Sequence, residues 1–169
     1  DVHMLATLLY FDNVTGLMKN YLDRSCASAN SAWECDMNHE TIHKLDRPGP
    51  KLIALSNCGY PEQTHFEVLR VLFRRMARNM GSELIGEIYR GEGGLLQAEN
   101  PEWQVIVNDY KALLRTAGRE IAHNLAFSDV TKRKLEEPLI PYAEAVRAYN
   151  DYVRAFNSSQ IKGAGHDRH

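Results

Sequence analysis

Charge of one sign is what this 169-residue sequence most plainly lacks: 20 Lys and Arg stand against 22 Asp and Glu, a formal net charge of −2. Without a basic excess to track phosphates, no nucleic-acid partner is expected. Long hydrophobic runs are missing too. The longest, such as Leu52 to Leu55, fall far short of the roughly 20 apolar residues that span a bilayer, so no membrane segment is expected either. Cysteine is scarce and odd in number. Cys26, Cys35 and Cys58 fit neither a zinc nor a disulfide spacing, which points to free thiols. No signal peptide precedes the first apolar run, and a cytoplasmic location is the expectation. Internal repeats and low-complexity tracts are absent, which removes repeat arrays and compositional linkers.

What remains is an ordinary globular composition, 44% hydrophobic and 25% charged, long enough for one domain with a sizeable core. His3 to Tyr10 is a short, nearly continuous apolar run ending at Phe11-Asp12-Asn13, the pattern of a strand buried on both faces of a parallel sheet. The sequence opens almost inside this strand, which predicts a lost upstream segment, with Met4 as the alternative start. Val14, Leu17, Met18, Tyr21 and Leu22 share a helical face behind Thr15, a candidate N-cap. Residues 24–50 lose this periodicity and end in Pro48-Gly49-Pro50, a long loop or insertion.

Lys51 to Asn57 reads as a second buried strand, closed by the turn Cys58-Gly59-Tyr60-Pro61. The helix after it carries Phe66, Leu69, Phe73, Met76 and Met80 at helical spacing and reaches a C-cap at Gly81. Val68, Val71 and Leu72 widen its apolar arc beyond one sheet face, which predicts a second packing partner. Ser82 to Tyr89 is a third strand, followed by the flexible Gly91-Glu92-Gly93-Gly94. Asn100 and Pro101 open another helix, with Val105, Ile106, Tyr110, Leu113, Leu114, Ala117 and Ile121 inward. A last helix starts near Pro141 with Tyr142, Val146, Tyr149, Val153 and Phe156 as its stripe. The domain is predicted over residues 1–156, with 157–169 a flexible tail. Strands alternating with helices predict an α/β fold with a parallel sheet. Ligands of such sheets sit beyond the carboxyl ends of the strands, here Tyr10 to Thr15, Ser56 to Tyr60 and Tyr89 to Gly94.

The stretch from Thr7 to Arg24, Thr7-Leu8-Leu9-Tyr10-Phe11-Asp12-Asn13-Val14-Thr15-Gly16-Leu17-Met18-Lys19-Asn20-Tyr21-Leu22-Asp23-Arg24, resembles the third strand and following helix of flavodoxin-like NAD(P)H-dependent FMN reductases, quinone reductases and iron–sulfur flavoproteins. Ser56-Asn57-Cys58-Gly59-Tyr60-Pro61-Glu62 is similar to the next strand's flavin loop. The resemblance implies a flavodoxin-like three-layer fold truncated at its N-terminus, with the first two strands and the phosphate loop missing. It implies FMN as cofactor and NAD(P)H as co-substrate, in a flavin or quinone reductase. The first loop would contribute Thr7, Leu8, Leu9, Tyr10, Asn13 and Thr15 to the flavin. The second would contribute Ser56, Asn57, Cys58, Gly59 and Tyr60. No catalytic side chain is implied, since the flavin carries the hydride. Where the family has proline after threonine in the first loop, Leu8 stands here. Loss of the first strands also predicts a homo-oligomer or a partner chain covering the edge of residues 3–10. The second reading is a non-catalytic oligomerisation or interaction module derived from such a protein.

Three further patterns compete. His39-Glu40-Thr41-Ile42-His43 matches the H-E-x-x-H signature of zinc hydrolases, which on a helix places both histidines on one face; chance occurrence in a variable loop is the plainer reading. Arg70, Arg74, Arg75 and Arg78 line one helix and could hold a nucleotide phosphate or a partner's carboxylates, but a solvated face is the simpler account. Cys58 could be redox-active, and a small buried filler is again the simpler account.

Overall fold

The computed structural model describes residues 1–25, 32–44 and 47–164, with side chains to residue 158. Cys26 lies outside the described residues. The fold is mixed α/β, with a mostly parallel sheet flanked by helices, and the chain divides into two compact units, Asp1–Glu137 and Pro138–His169.

In the first unit, Val2–Tyr10 forms β1 and turns back through Phe11-Asp12 into the two-residue β2, Asn13–Val14. Gly16–Ser25 is α1, capped as its sequence predicts: the Met18 N–H donates to Thr15 Oγ1 at 3.4 Å. Its apolar face is shallow, for no α1 residue is fully buried and Leu17 stays exposed. Two short strands follow, β3 (Trp33–Cys35) and β4 (Thr41–His43), paired antiparallel where the sequence suggests only a loop.

Lys51–Asn57 forms β5, and Leu84–Arg90 forms β6. The order across the sheet is β2-β1-β5-β6, with β5 parallel to both β1 and β6. Successive side chains of a strand alternate between faces. Leu5, Leu52, Ala54 and Tyr89 fall on one face, beneath α2 (Glu67–Asn79), which buries Leu69, Phe73 and Ala77, with Phe66 in the 3-10 turn before it. Ile53, Gly86, Ile88 and Arg90 fall on the other. There Phe127 lies so close that a Cβ on Gly86 would sit 2.7 Å from its ring.

Helix α2 ends in a Schellman motif. Gly81, at φ 58°, donates its N–H to the Arg78 carbonyl, and Ser82 donates to that of Ala77. Val68 and Val71 remain exposed, while Leu72 packs against the chain's own core. Helix α3 (Pro101–Asn124) starts at Asn100, whose Oδ1 accepts the Glu102 N–H at 2.9 Å. It buries Tyr110, Ala117 and Ile121 of the expected stripe together with Val107, while Val105, expected inward, points out at 62% exposure. A further helix, α4 (Asp129–Glu136), is capped by Ser128, which accepts the Thr131 N–H at 3.2 Å.

The second unit is built on one helix, α5 (Tyr142–Ala164). It runs past Phe156, where the apolar spacing stops, and continues into the segment expected to be a flexible tail. Tyr142, Val146 and Tyr149 of its stripe are exposed. Among the described residues, no helix is long and apolar enough to cross a membrane.

The arginines of α2 clasp the β3–β4 hairpin. Arg78 reaches Asp36 Oδ2 through Nη2 at 2.7 Å and Nε at 3.2 Å, and Arg75 reaches Glu40 at 2.9 Å. Backbone N–H groups of Asn38 and Glu40 donate to Asp36 Oδ1. The hydrogen bond from Glu40, then Arg78, hold the Asp36 carboxyl below its ordinary range. A depressed carboxylate favours the fold above its unfolded pKa and loses that contribution as pH falls through the folded value. Amide exchange at Asn38 and Glu40, taken relative to the intrinsic rate at each pH, is therefore expected to accelerate several-fold on acidification. Asp36→Asn should accelerate it already at neutral pH, and unchanged exchange in that variant would remove the clasp.

Candidate functional site

The parallel register Thr7↔Ser56 and Leu8↔Asn57 brings the carboxyl ends of β1 and β5 side by side. The turns that follow, Phe11 to Thr15 and Cys58 to Pro61, leave the same end of the sheet from neighbouring strands. Asn57↔Arg90 adds the end of β6 beside them.

Short polar side chains fasten the first turn. The Thr15 N–H donates to Thr7 Oγ1 at 3.1 Å, and the Val14 N–H donates to Asn13 Oδ1 at 2.8 Å. Phe11 and Asp12 both adopt positive φ, 46° and 54°, the geometry of a tight hairpin of type I′. A non-glycine residue in this region costs about 1–2 kcal/mol, and here it presents the Phe11 ring wholly to solvent.

The second turn is stitched to the loop after β6. Cys58 donates its N–H to the Arg90 carbonyl (3.1 Å), Gly93 to that of Cys58 (2.7 Å) and Glu92 to that of Tyr60 (3.0 Å). Backbones come this close only because Gly91 and Gly93 lack side chains. A Cβ on Gly91 would lie 2.6 Å from the Tyr60 oxygen, and one on Gly93 3.0 Å from that of Cys58. Gly91 to Gly93 is thus a fitted seam, where the sequence suggests only a flexible turn. Tyr60 stacks on His65, centroids 4.3 Å apart.

The eleven residues singled out from sequence divide by exposure. Leu8, Tyr10, Asn13, Gly59 and Tyr60 face solvent, Thr15 and Asn57 are half-buried, and Leu9 packs against the core. Thr7, Ser56 and Cys58 are buried, so whatever a ligand receives from them comes through the main chain. Burial also pushes the Cys58 thiol up, opposed by a hydrogen bond from the Tyr60 backbone and by the nearby Arg90, while Glu62 adds to the rise. Cys58 is therefore a protonated thiol at neutral pH and a poor nucleophile.

Phe11 and Arg90 fall within the strand ends marked from sequence but are not singled out there, and Tyr110 is expected only as an inward residue of α3. Arg90 is 3% exposed at the end of β6; its Nη2 donates to the Glu137 carbonyl at 2.8 Å and its guanidinium lies 4.9 Å from the Tyr110 ring centroid. Burial raises the Tyr110 phenol, with the Arg90 charge acting against it. The only signal was a charged residue directly after the apolar run that ends at Tyr89.

The zinc motif does not form its helical face. His39 sits in the hairpin turn at φ 60° and Thr41 to His43 form β4, so the four-residue spacing no longer stacks the two histidines. Glu40 is taken by Arg75 and Arg78. Among the described residues, no group of three His, Cys, Asp or Glu side chains is placed to hold a metal ion. The four arginines of α2 likewise face this chain's own carboxylates: Arg70 pairs with Glu136 at 2.8 Å and Arg74 with Glu87 at 3.0 Å.

No protein-family model, curated protein or solved structure matches the chain.

Gly91→Ala is expected to lower stability by about 1–3 kcal/mol, the usual cost of overpacking. Gly94→Ala, with open space around its would-be Cβ, should change it little; urea midpoints that move equally for both would refute the seam. In a Cys26→Ser background, Cys35 should react promptly with a thiol reagent and Cys58 only on unfolding.

Proposed function

We propose that this chain is the flavin-ring half of a flavodoxin-like, FMN-dependent NAD(P)H oxidoreductase of the flavin or quinone reductase type. The observation that supports the reading is the adjacency of two turns, one after β1 and one after β5, at one end of a parallel sheet. A flat tricyclic ring requires aromatic or aliphatic walls and a few fixed polar groups along its edge. Tyr10, Phe11 and Tyr60 stand exposed on these turns with Leu8 beside them. The side-chain amide N–H groups of Asn13, whose Oδ1 is taken by the Val14 N–H, and the main chain of Gly59 would supply the polar rim. Bound there, FMN would supply the hydride chemistry, and this chain would orient the ring. Thr7, Asn13 and Thr15 hold the first turn in shape, and Gly91 and Gly93 hold the second.

The residues fit the ring better than the phosphate. Phosphate binding needs free, converging N–H groups at a glycine-rich loop or helix start, and at the start of α1, which follows the first turn, Thr15 already takes the Met18 N–H. The reading therefore includes a homo-oligomer or a partner chain that covers the edge of β1 over residues 3–10. A second reading, a non-catalytic interaction module, is favoured by one specific observation: Val2, Met4 and Leu8 on that strand are exposed apolar side chains.

Titration with FMN separates the two. Saturable binding with quenched flavin fluorescence is expected, and Tyr60→Ala should weaken it about fivefold, the ~1 kcal/mol of an aromatic stacking contact. Colourless protein with no response to FMN would leave the interaction module standing instead.

A further inference from the structure

The end of β6 encloses a positive charge that the fold itself does not balance. Arg90 is 3% exposed, its Nη2 is taken by the Glu137 main-chain carbonyl, and its Nε and Nη1 find no partner. Among the described residues, no carboxylate forms an ion pair with it. The guanidinium carbon lies 4.9 Å from the Tyr110 ring centroid, and the Tyr110 hydroxyl is buried without a partner as well. Burial raises that phenol, so the hydroxyl keeps its proton and is a donor at neutral pH. Enclosed donors cost free energy unless something accepts their hydrogen bonds.

The sheet register shows how this corner opens. Leu8 is level with Asn57, and Asn57 with Arg90, so their side chains form one rung on the sheet face opposite α2. Exposure falls along the rung, from 44% at Leu8 through the half-buried Asn57 to 3% at Arg90. Neighbouring strands stand about 5 Å apart, so the rung is roughly 10 Å long. It runs from an apolar, solvent-facing end, past an amide, to the guanidinium.

We propose that Arg90, Tyr110 and Asn57 form a binding site for the carboxylate of a small organic acid, whose apolar body lies along the rung over Leu8. The carboxylate accepts from the free guanidinium nitrogens and the Tyr110 hydroxyl, and the Asn57 amide donates from the open side. One guanidinium balances a monoanion. A phosphate dianion needs more positive charge, and the next buried charged residue along the chain, Glu92, is acidic. Packing alone does not account for Tyr110: phenylalanine would keep the cation–π contact with no hydroxyl to desolvate. The inference goes beyond the flavin reading. Leu8 and Asn57 are shared with that reading, Arg90 and Tyr110 belong to this site alone, and the proposal stands whether or not FMN binds.

Titration of the full chain with benzoate, followed by calorimetry and at the Arg90 Nε–H resonance by NMR, is the test. Saturable binding with a downfield shift of that resonance is expected, and inorganic phosphate should bind at least tenfold more weakly. Tyr110→Phe should weaken benzoate about tenfold, the effect of losing one charge-assisted hydrogen bond, with unchanged circular dichroism and a urea midpoint no lower than that of the wild type. Leu8→Ser should weaken benzoate and leave acetate unaffected. Arg90→Gln should abolish binding; if that variant fails to fold, Tyr110→Phe still decides. No saturable response to benzoate, phosphate binding as tight as benzoate, or Tyr110→Phe binding like the wild type would each overturn the proposal. FMN binding is read separately by flavin fluorescence, so failure of the flavin reading and failure of this one are distinguishable.

Discussion

The parallel ladder on both sides of β5 is the constraint from which the rest of this structure follows. Leu52, Ile53 and Ala54 are buried on alternate faces of that strand, so it has to be central, and its neighbours have to run the same way to bring helices onto both faces. Once Leu8 is level with Asn57 and Asn57 with Arg90, three strand ends lie in a row. The main chain of Cys58 and Tyr60 is then within reach of Arg90, Glu92 and Gly93, and the glycines at 91 and 93 become a steric requirement. A one-residue slip of β5 would turn Leu52, Ala54 and Ser56 to the opposite face and dissolve this alignment.

The two sides of the sheet meet their burial costs differently. Beneath α2 the contacts are almost wholly apolar, and the one phenol among them, Tyr89, donates to Glu87 at 3.1 Å and stacks on Phe66. Burial, reinforced by Glu87, holds that phenol protonated. On the opposite side a full positive charge is enclosed at Arg90. Its planar guanidinium combines a hydrogen bond to the Glu137 carbonyl with a cation–π contact on Tyr110, while Nε and Nη1 find no protein partner. Burying a charge is costly unless it is paired or hydrogen-bonded, which makes this corner the most sequence-sensitive point of the sheet end.

Sequence was most legible where burial is complete and least legible where structure rests on specific polar contacts. The bounds of β5 read directly from KLIALSN, since only a strand with two covered faces tolerates that run, and the inward stripe of α2 followed from spacing. The β3–β4 hairpin did not, because its strands are three residues each and largely exposed, leaving no alternation to detect. Its actual signal was Asp36 followed by Asn38, an Asx-type turn stabilised by its own amides, which the H-E-x-x-H spacing obscured. The Val105 misplacement on α3 has another cause: a helix with apolar residues at 105, 106 and 107 gives spacing arguments three adjacent choices, and only packing selects Val107. Among the site residues, spacing located the turns but not the direction of each side chain. Thr7 and Ser56 point into the same buried face because they are paired neighbours, a fact of register that no single strand reveals.

The hairpin return through β2 separates two properties that would otherwise interfere. A free edge continuing through Tyr10 would place any strand paired with β1 directly against the turn at Phe11 to Thr15. Because Leu9 and Tyr10 are already paired with Val14 and Asn13, the open ladder ends before that turn begins, and the exposed rings of Phe11 and Tyr60 remain on the side of the sheet end. The positive φ values of Phe11 and Asp12 are what this short return demands. Their conformational cost is thus tied to closing the last two positions of the ladder, and a longer, relaxed loop would lose that closure.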